Sequence, residues 1–159
     1  MNRHSKGAKR RRKTVQVWTH AQARAALPYI TSILRSAREH ALETQAHRLQ
    51  LHRQARQPGR PDRAALIAHQ EMGMRANEAE ERFREAIEEL HALDIYCLDP
   101  IRGEAVIPFV HNDQLAWFVY DLFDETHLNF WRYDSDSWET RRPLSDIPEG
   151  PPPVAQPAG

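Results

Sequence analysis

Glu88 and His91 stand three residues apart in a segment with helical patterning, a spacing that puts a carboxylate and an imidazole on one face, as in carboxylate-bridged di-iron bundles. Those sites take two such pairs from four helices. This sequence has one, so a metal-dependent enzyme built on Glu88 and His91 would need a second copy to complete the ligand set. His40, His47 and His69 fall near Glu78, Glu71 and Leu49 if the chain doubles back about Gly59, and the expectation there is weak cross-hairpin histidine–carboxylate pairing. A second acidic group, Asp121, Asp124, Glu125, His127, Asp134, Asp136 and Glu139, is interleaved with Trp131, Tyr133 and Trp138. Paired carboxylates beside aromatic rings can do acid–base work on a sugar, but the same alternation is what a half-buried sheet shows. Asp134-Ser135-Asp136 starts like a calcium loop and fails: Trp138 stands where a ligand is needed and Glu139 where the loop needs glycine.

Nucleophilic and phosphate chemistry have little to stand on. Cys97 lies between Tyr96 and Leu98 in an apolar run, the setting of a core thiol, whereas a reactive thiolate needs exposure and positive charge. The six glycines fit neither a phosphate loop, a dinucleotide fingerprint nor a nucleophile elbow. No cofactor is called for. The strongest electrostatic feature is a basic arm: Arg3, Lys6, Lys9, Arg10, Arg11, Arg12 and Lys13, with no acid among them. The whole chain balances 22 basic against 22 acidic residues, so the remainder is acidic, with fifteen positive charges against twenty-two negative. Such an arm can bind nucleic acid through counterion release, without reading sequence and with steep salt dependence. It has no aromatic residue for stacking and no apolar anchor for a lipid surface.

The elements that must position these groups follow from periodicity. At 159 residues and a mean hydropathy of -0.74 the chain suits one domain. No apolar run is long enough to span a membrane and no apolar segment follows the charged start, so the expected setting is cytoplasmic, without a membrane partner. Residues 1–14 have nothing to bury and are expected to be a disordered arm; residues 147–159, rich in proline, are expected to be a disordered tail. The folded domain is expected over residues 15–146.

Thr19 and Gln22 have the form of a capping box, so a helix is expected to start there. Pro28 predicts a kink or a short first piece. Leu27, Ile30, Leu34, Ala37, Ala41, Thr44, Arg48 and Leu51 then recur at spacings of 3 and 4, a stripe that weakens outward. Gln57-Pro58-Gly59-Arg60-Pro61 is a turn, with Pro61 expected in the first turn of a second helix running to about Leu93. Its stripe is Ala65, His69, Met72, Ala76, Ala79, Phe83, Ala86, Leu90 and Leu93. Two helices of about 30 residues joined by a short turn pack as an antiparallel, coiled-coil-like hairpin. After Asp94 the period drops to 2, and strands are expected at 95–98, 105–110, 115–122 and 128–133, an antiparallel meander. Leu115–Leu122 reads as the central strand, and Pro108 demotes its own strand to an edge or a bulge. The fold class is therefore α+β.

The residues Thr19–Ile30, Leu93–Phe109, Leu115–Leu122 and Asn129–Leu144, in this order, resemble the bacterial domain-of-unknown-function family 2203 over about residues 18–144. The resemblance is carried most specifically by a closing segment of the form Phe-Trp-His-x-Leu-Asp-x-Gly-Phe-x-Gly-Arg-x-Pro-Leu. Phe130, Trp131, Arg141, Pro143 and Leu144 match it, and Trp138 stands for its Phe. Arg132 replaces the family's His, Ser135 its Asp, Ser137 and Thr140 its glycines, and Val106 the Asp before its Phe-Pro. A family site built on those polar positions is rewritten here. The resemblance implies a fold and a cytosolic setting and supplies no reaction. Taken with the apolar stripes, the sequence points to a non-catalytic interaction module whose hairpin face meets an unknown protein or a second copy. A nucleic-acid-associated protein is the rival, and the metal-dependent enzyme a weaker third.

Overall fold

The structure, a computed structural model, describes residues 14–148. Two helices, α1 (His20–Ala55) and α2 (Arg63–Ala92), form an antiparallel hairpin. It is followed by a five-stranded antiparallel sheet in sequence order, β1 (Tyr96–Asp99), β2 (Glu104–His111), β3 (Gln114–Asp121), β4 (Leu128–Tyr133) and β5 (Arg142–Pro143). The basic arm, residues 1–13, and the end of the tail, residues 149–159, lie outside the described residues.

Local chemistry sets each boundary. The capping box forms as expected: Gln22 N–H donates to Thr19 Oγ1 at 3.1 Å and Thr19 N–H to Gln22 Oε1 at 3.0 Å. Pro28 does not divide the helix, which continues to Ala55. One missing donor is a local loss, offset by the burial of Ile30, Ile33, Leu34 and Ala37 immediately beyond it. Pro61 precedes the second helix instead of entering it, and Asp62 is the cap, accepting from Ala65 N–H at 2.8 Å. α2 ends in a Schellman motif: Ile95 N–H bonds Leu90 C=O and Asp94 N–H bonds His91 C=O, both at 3.0 Å, while Leu90 and Ile95 are buried together. The left-handed position belongs to Asp94, φ 57°, and its carboxylate accepts from Gln16 N–H at 2.7 Å, fastening the incoming chain to the helix end.

The sheet lays one face on the hairpin. Ala105, Ile107 and Phe109 of β2, Ala116, Phe118 and Tyr120 of β3 and Trp131 of β4 are buried there with Ala23, Ile30, Leu34, Ala37, Ala86 and Leu90. Phe109 and Phe118 stack with ring centroids 3.8 Å apart. β3 is the middle strand, as its two apolar faces require. β2 is not an edge: it lies between β1 and β3. The proline is nevertheless accommodated by edge geometry, because β1 pairs only as far as Val106 and Pro108 lies beyond it. There the Pro108 carbonyl accepts from Trp18 N–H at 2.8 Å, so the strand flank without a donor meets the entering segment rather than a strand. The expected cross-hairpin histidine pairs are corrected too. His40 and His47 both approach Glu43 along α1, at 3.4 and 3.5 Å, and His69 meets Gln54 at 3.1 Å. The helices cross-link instead through Arg48–Glu80 at 2.5 Å and a Tyr29–Glu89 hydrogen bond.

Candidate functional site

Three places collect the residues that matter. The first is the closing segment. Trp131 is buried and its Nε1–H donates to Pro143 C=O at 3.2 Å; Phe130 and Pro143, and Trp131 and Arg142, are partners across the β4–β5 ladder, and Leu144 is buried. Asp136 closes the turn between the two strands. It grips Arg142 with two bonds of 2.8 and 2.9 Å and accepts from Tyr133 N–H at 2.9 Å, and these interactions hold its carboxyl down at about 2. The Arg142 guanidinium lies 5.5 Å from the Trp131 ring and 5.0 Å from that of Tyr133. Both members of this ion pair stand at positions that the closing motif leaves open, so motif matching passes over them.

The remaining motif residues are dispersed. Trp138 and Arg141 are exposed on the turn, Arg141 donating to the carbonyls of Trp138 at 2.8 Å and Thr140 at 3.0 Å, and Ser137 Oγ lies 3.0 Å from Thr140 Oγ1. Ser135 is exposed, and Val106 is buried in β2. Arg132 faces Trp117 across β3–β4, its Nε buried with no hydrogen-bond partner among the described residues. The segment works as a clasp that fastens the last strand. It does not gather its polar positions into one site.

The second place is a groove between the first half of α1 and the β3–β4 loop. A cavity of about 570 Å³ is lined by Leu27, Pro28, Thr31, Ser32, Arg35, Ser36, Glu39 and His127. The sheet's buried Tyr120 meets it from below: its hydroxyl lies 2.8 Å from Thr31 Oγ1, and burial pushes its phenol above the ordinary value. His127 stacks on the Tyr120 ring at 5.3 Å and Nδ1 bonds the Asp121 carbonyl at 3.1 Å. Because a carbonyl only accepts, Nδ1 carries the proton and Nε2 is left for other partners. Farther along, Arg38 donates to Ile101 C=O at 2.8 Å and lies 4.9 Å from the Phe123 ring.

The third place is the outer half of the hairpin. None of residues 38–75 is buried, and Leu42, Leu49, Leu66, Ile67 and Met74 are all exposed there, Met74 at 57%. Leu42 and Leu49, and Ile67 and Met74, are each seven residues apart, one face of each helix.

Glu88 and His91 are both exposed at the inner end of α2, with the His91 ring 5.4 Å from that of Tyr96. Among the described residues no group of three or more His, Cys, Asp or Glu side chains is placed to hold a metal ion. Cys97 is half-buried, and burial and the neighbouring Asp99 push its thiol up to about 11. The seven cations of the arm lie outside the described residues. Sequence reasoning missed Tyr120, Thr31, Arg35 and Arg142 as cooperating groups, since residues 31 and 120 meet only when the sheet folds back on the hairpin.

Together these features define an α+β protein in which a helical hairpin overhangs the sheet that covers its inner half, with the last strand clasped by an Asp–Arg pair. The chain belongs to the family described as "Uncharacterized conserved protein (DUF2203)", which matches residues 16–144. No curated protein and no solved structure matches it. No helix among the described residues is long and apolar enough to cross a membrane.

Proposed function

We propose that this protein is a non-catalytic interaction module that self-associates through the outer half of its helical hairpin. The observation that carries the reading is the run of residues 38–75, none of them buried, in which both helices keep apolar residues at helical spacing and meet the sheet's loops only at the inner edge, where Arg38 and Leu42 approach Ile101, Leu122 and Phe123. A helix this far from its own core is stabilised mostly by packing, so an overhang of this length gains from a second layer. Charge supports a copy of the same chain as that layer. Apart from the internal Arg48–Glu80 pair, the tip of the hairpin carries Arg53 and, at the cap of α1, Arg56, while Glu78, Glu81 and Glu85 follow where the outer half of α2 ends. A second copy whose outer half lies antiparallel on the first, tip to mid-hairpin, sets the basic tip of one beside these acids of the other and brings Leu49, Ile67 and Met74 close to their own copies near the two-fold axis.

Light scattering over a concentration series tests this. The full chain is expected at twice its 18.5 kDa mass, and the Ile67→Glu, Met74→Glu double variant as a monomer with unchanged helix content. A wild-type monomer at about 100 µM removes the reading.

A second reading rests on the charge split, seven cations without an acid in residues 1–13. In that reading the arm gives salt-sensitive affinity for nucleic acid, and the hairpin is the platform that carries it. Fluorescence anisotropy with single- and double-stranded probes at about 50 and 200 mM salt separates the two, because deleting residues 1–13 abolishes binding in this case and leaves self-association untouched.

A further inference from the structure

We propose that the groove between α1 and the β3–β4 loop binds a small organic oxyanion, a carboxylate or a phosphate monoester, with Arg35 as its counter-charge. One side of α1 departs from the residue types a helix prefers. Five of its residues are Pro, Ser or Thr, all weak in helix interiors, and four of them, Pro28, Thr31, Ser32 and Ser36, line this one groove. Thr31 serves the core, satisfying the buried Tyr120 hydroxyl, but neither the core nor the hairpin requires the hydroxyls of Ser32 and Ser36. Departures from local preference collect where function is built.

The loop opposite carries a second departure. Among the described residues four that are not glycine have positive φ; three are Asp or Asn, which tolerate it, and the fourth is His127 at φ 62°. That conformation lays the imidazole on Tyr120 and ties Nδ1 to the Asp121 carbonyl, which commits Nε2 to other partners. A backbone strained to aim one ring at a cavity is the kind of strain that marks binding sites.

Charge and shape then select the ligand. Arg35, exposed one turn beyond Thr31 on the same face, makes no ion pair among the described residues, and its planar fork suits two oxygens of one anion. Ser32 and Ser36 add hydroxyls, and Leu27 and Pro28 give an apolar wall for the body of the molecule. A volume of about 570 Å³ fits a compact metabolite rather than a polymer. Glu39, one turn past Arg35, closes the far end and disfavours a second negative group there.

The test is thermal melting and titration calorimetry of the full chain with benzoate, phenyl phosphate and inorganic phosphate at constant ionic strength. Saturable stabilisation by benzoate alone identifies a carboxylate site, and by phenyl phosphate alone a phosphate-ester site. Arg35→Gln is expected to weaken binding at least tenfold and Arg35→Lys less. His127→Asn, which keeps the left-handed turn, is expected to weaken it severalfold. Arg75→Gln, on the outer half of α2, leaves it unchanged. The proposal is overturned if no anion stabilises the chain, or if Arg35→Gln binds as the wild type does. Variants folded as judged by circular dichroism keep either result interpretable.

Discussion

Asp136 shows how much one side chain can carry when its partners are local. Its carboxylate takes two bonds from Arg142 and one from the Tyr133 amide, so the charged form is favoured in the folded chain and the carboxyl is held at about 2. An unfolded aspartate titrates near about 3.9. A group whose folded value is depressed stabilises the fold above its unfolded value, and that contribution is lost as pH falls through the folded one. Asp136→Asn is therefore expected to lower the melting temperature at pH 7, with the gap to wild type closing between about pH 4 and pH 2. A constant gap across that window would show that the ion pair is not what Asp136 contributes. Cys97 makes the opposite case: with its thiol raised to about 11, it should react with a maleimide at pH 7.5 at least about a hundredfold more slowly than a free cysteine. Rapid labelling would mean that the β1 edge opens.

At the scale of elements, most of the architecture was legible because it is written in periodicity. The helices, the Pro-Gly turn, the capping box and four of five strands follow from stripes of 3-4 and 2 and from turn residues that fix their own geometry. Asn112 and Asp113, both left-handed, make the tight β2–β3 turn that their residue types announce. What could not be read was long-range. The two-residue β5 has no pattern of its own and is held by the Asp136–Arg142 pair, and β2 stays internal despite Pro108 because β1 stops short of the proline and Trp18, ninety residues earlier, meets its carbonyl there. The inner and outer halves of α1 should differ sharply in energy. Leu34, fully buried, is expected to cost about 2–5 kcal/mol when changed to alanine, whereas Leu49, about half exposed, should cost under about 0.5 kcal/mol in dilute protein. Urea melts of the two variants check this, and equal losses would put a core under the outer hairpin. Gly103 is a turn whose φ of 68° and contact with the Leu122 side chain leave no room for a methyl group. Gly103→Ala should destabilise by about 2 kcal/mol or more in the same assay, and a neutral result would show that the β1–β2 turn can relax.

The whole molecule is asymmetric along its length: a sheet and clasp consolidate the inner end, and the outer end carries apolar residues on helices with no core beneath them. The candidate groove was not legible in the sequence, because Thr31, Arg35, Tyr120 and His127 are brought together by the packing of α1 on β3 and the loop after it. The overhang was legible in part, since the stripe in α1 fades after Ala41 while its length continues. Self-association through that overhang is the central claim. It is tested most directly by single-cysteine cross-linking, for which Cys97 leaves a low background. Cysteine placed at Leu49, Ile67 or Met74, treated with a short bismaleimide at micromolar protein, should give covalent dimers. Cysteine at Val110, exposed in the sheet, should not. Dimers from Val110→Cys alone, or from none of the four, would contradict the claim.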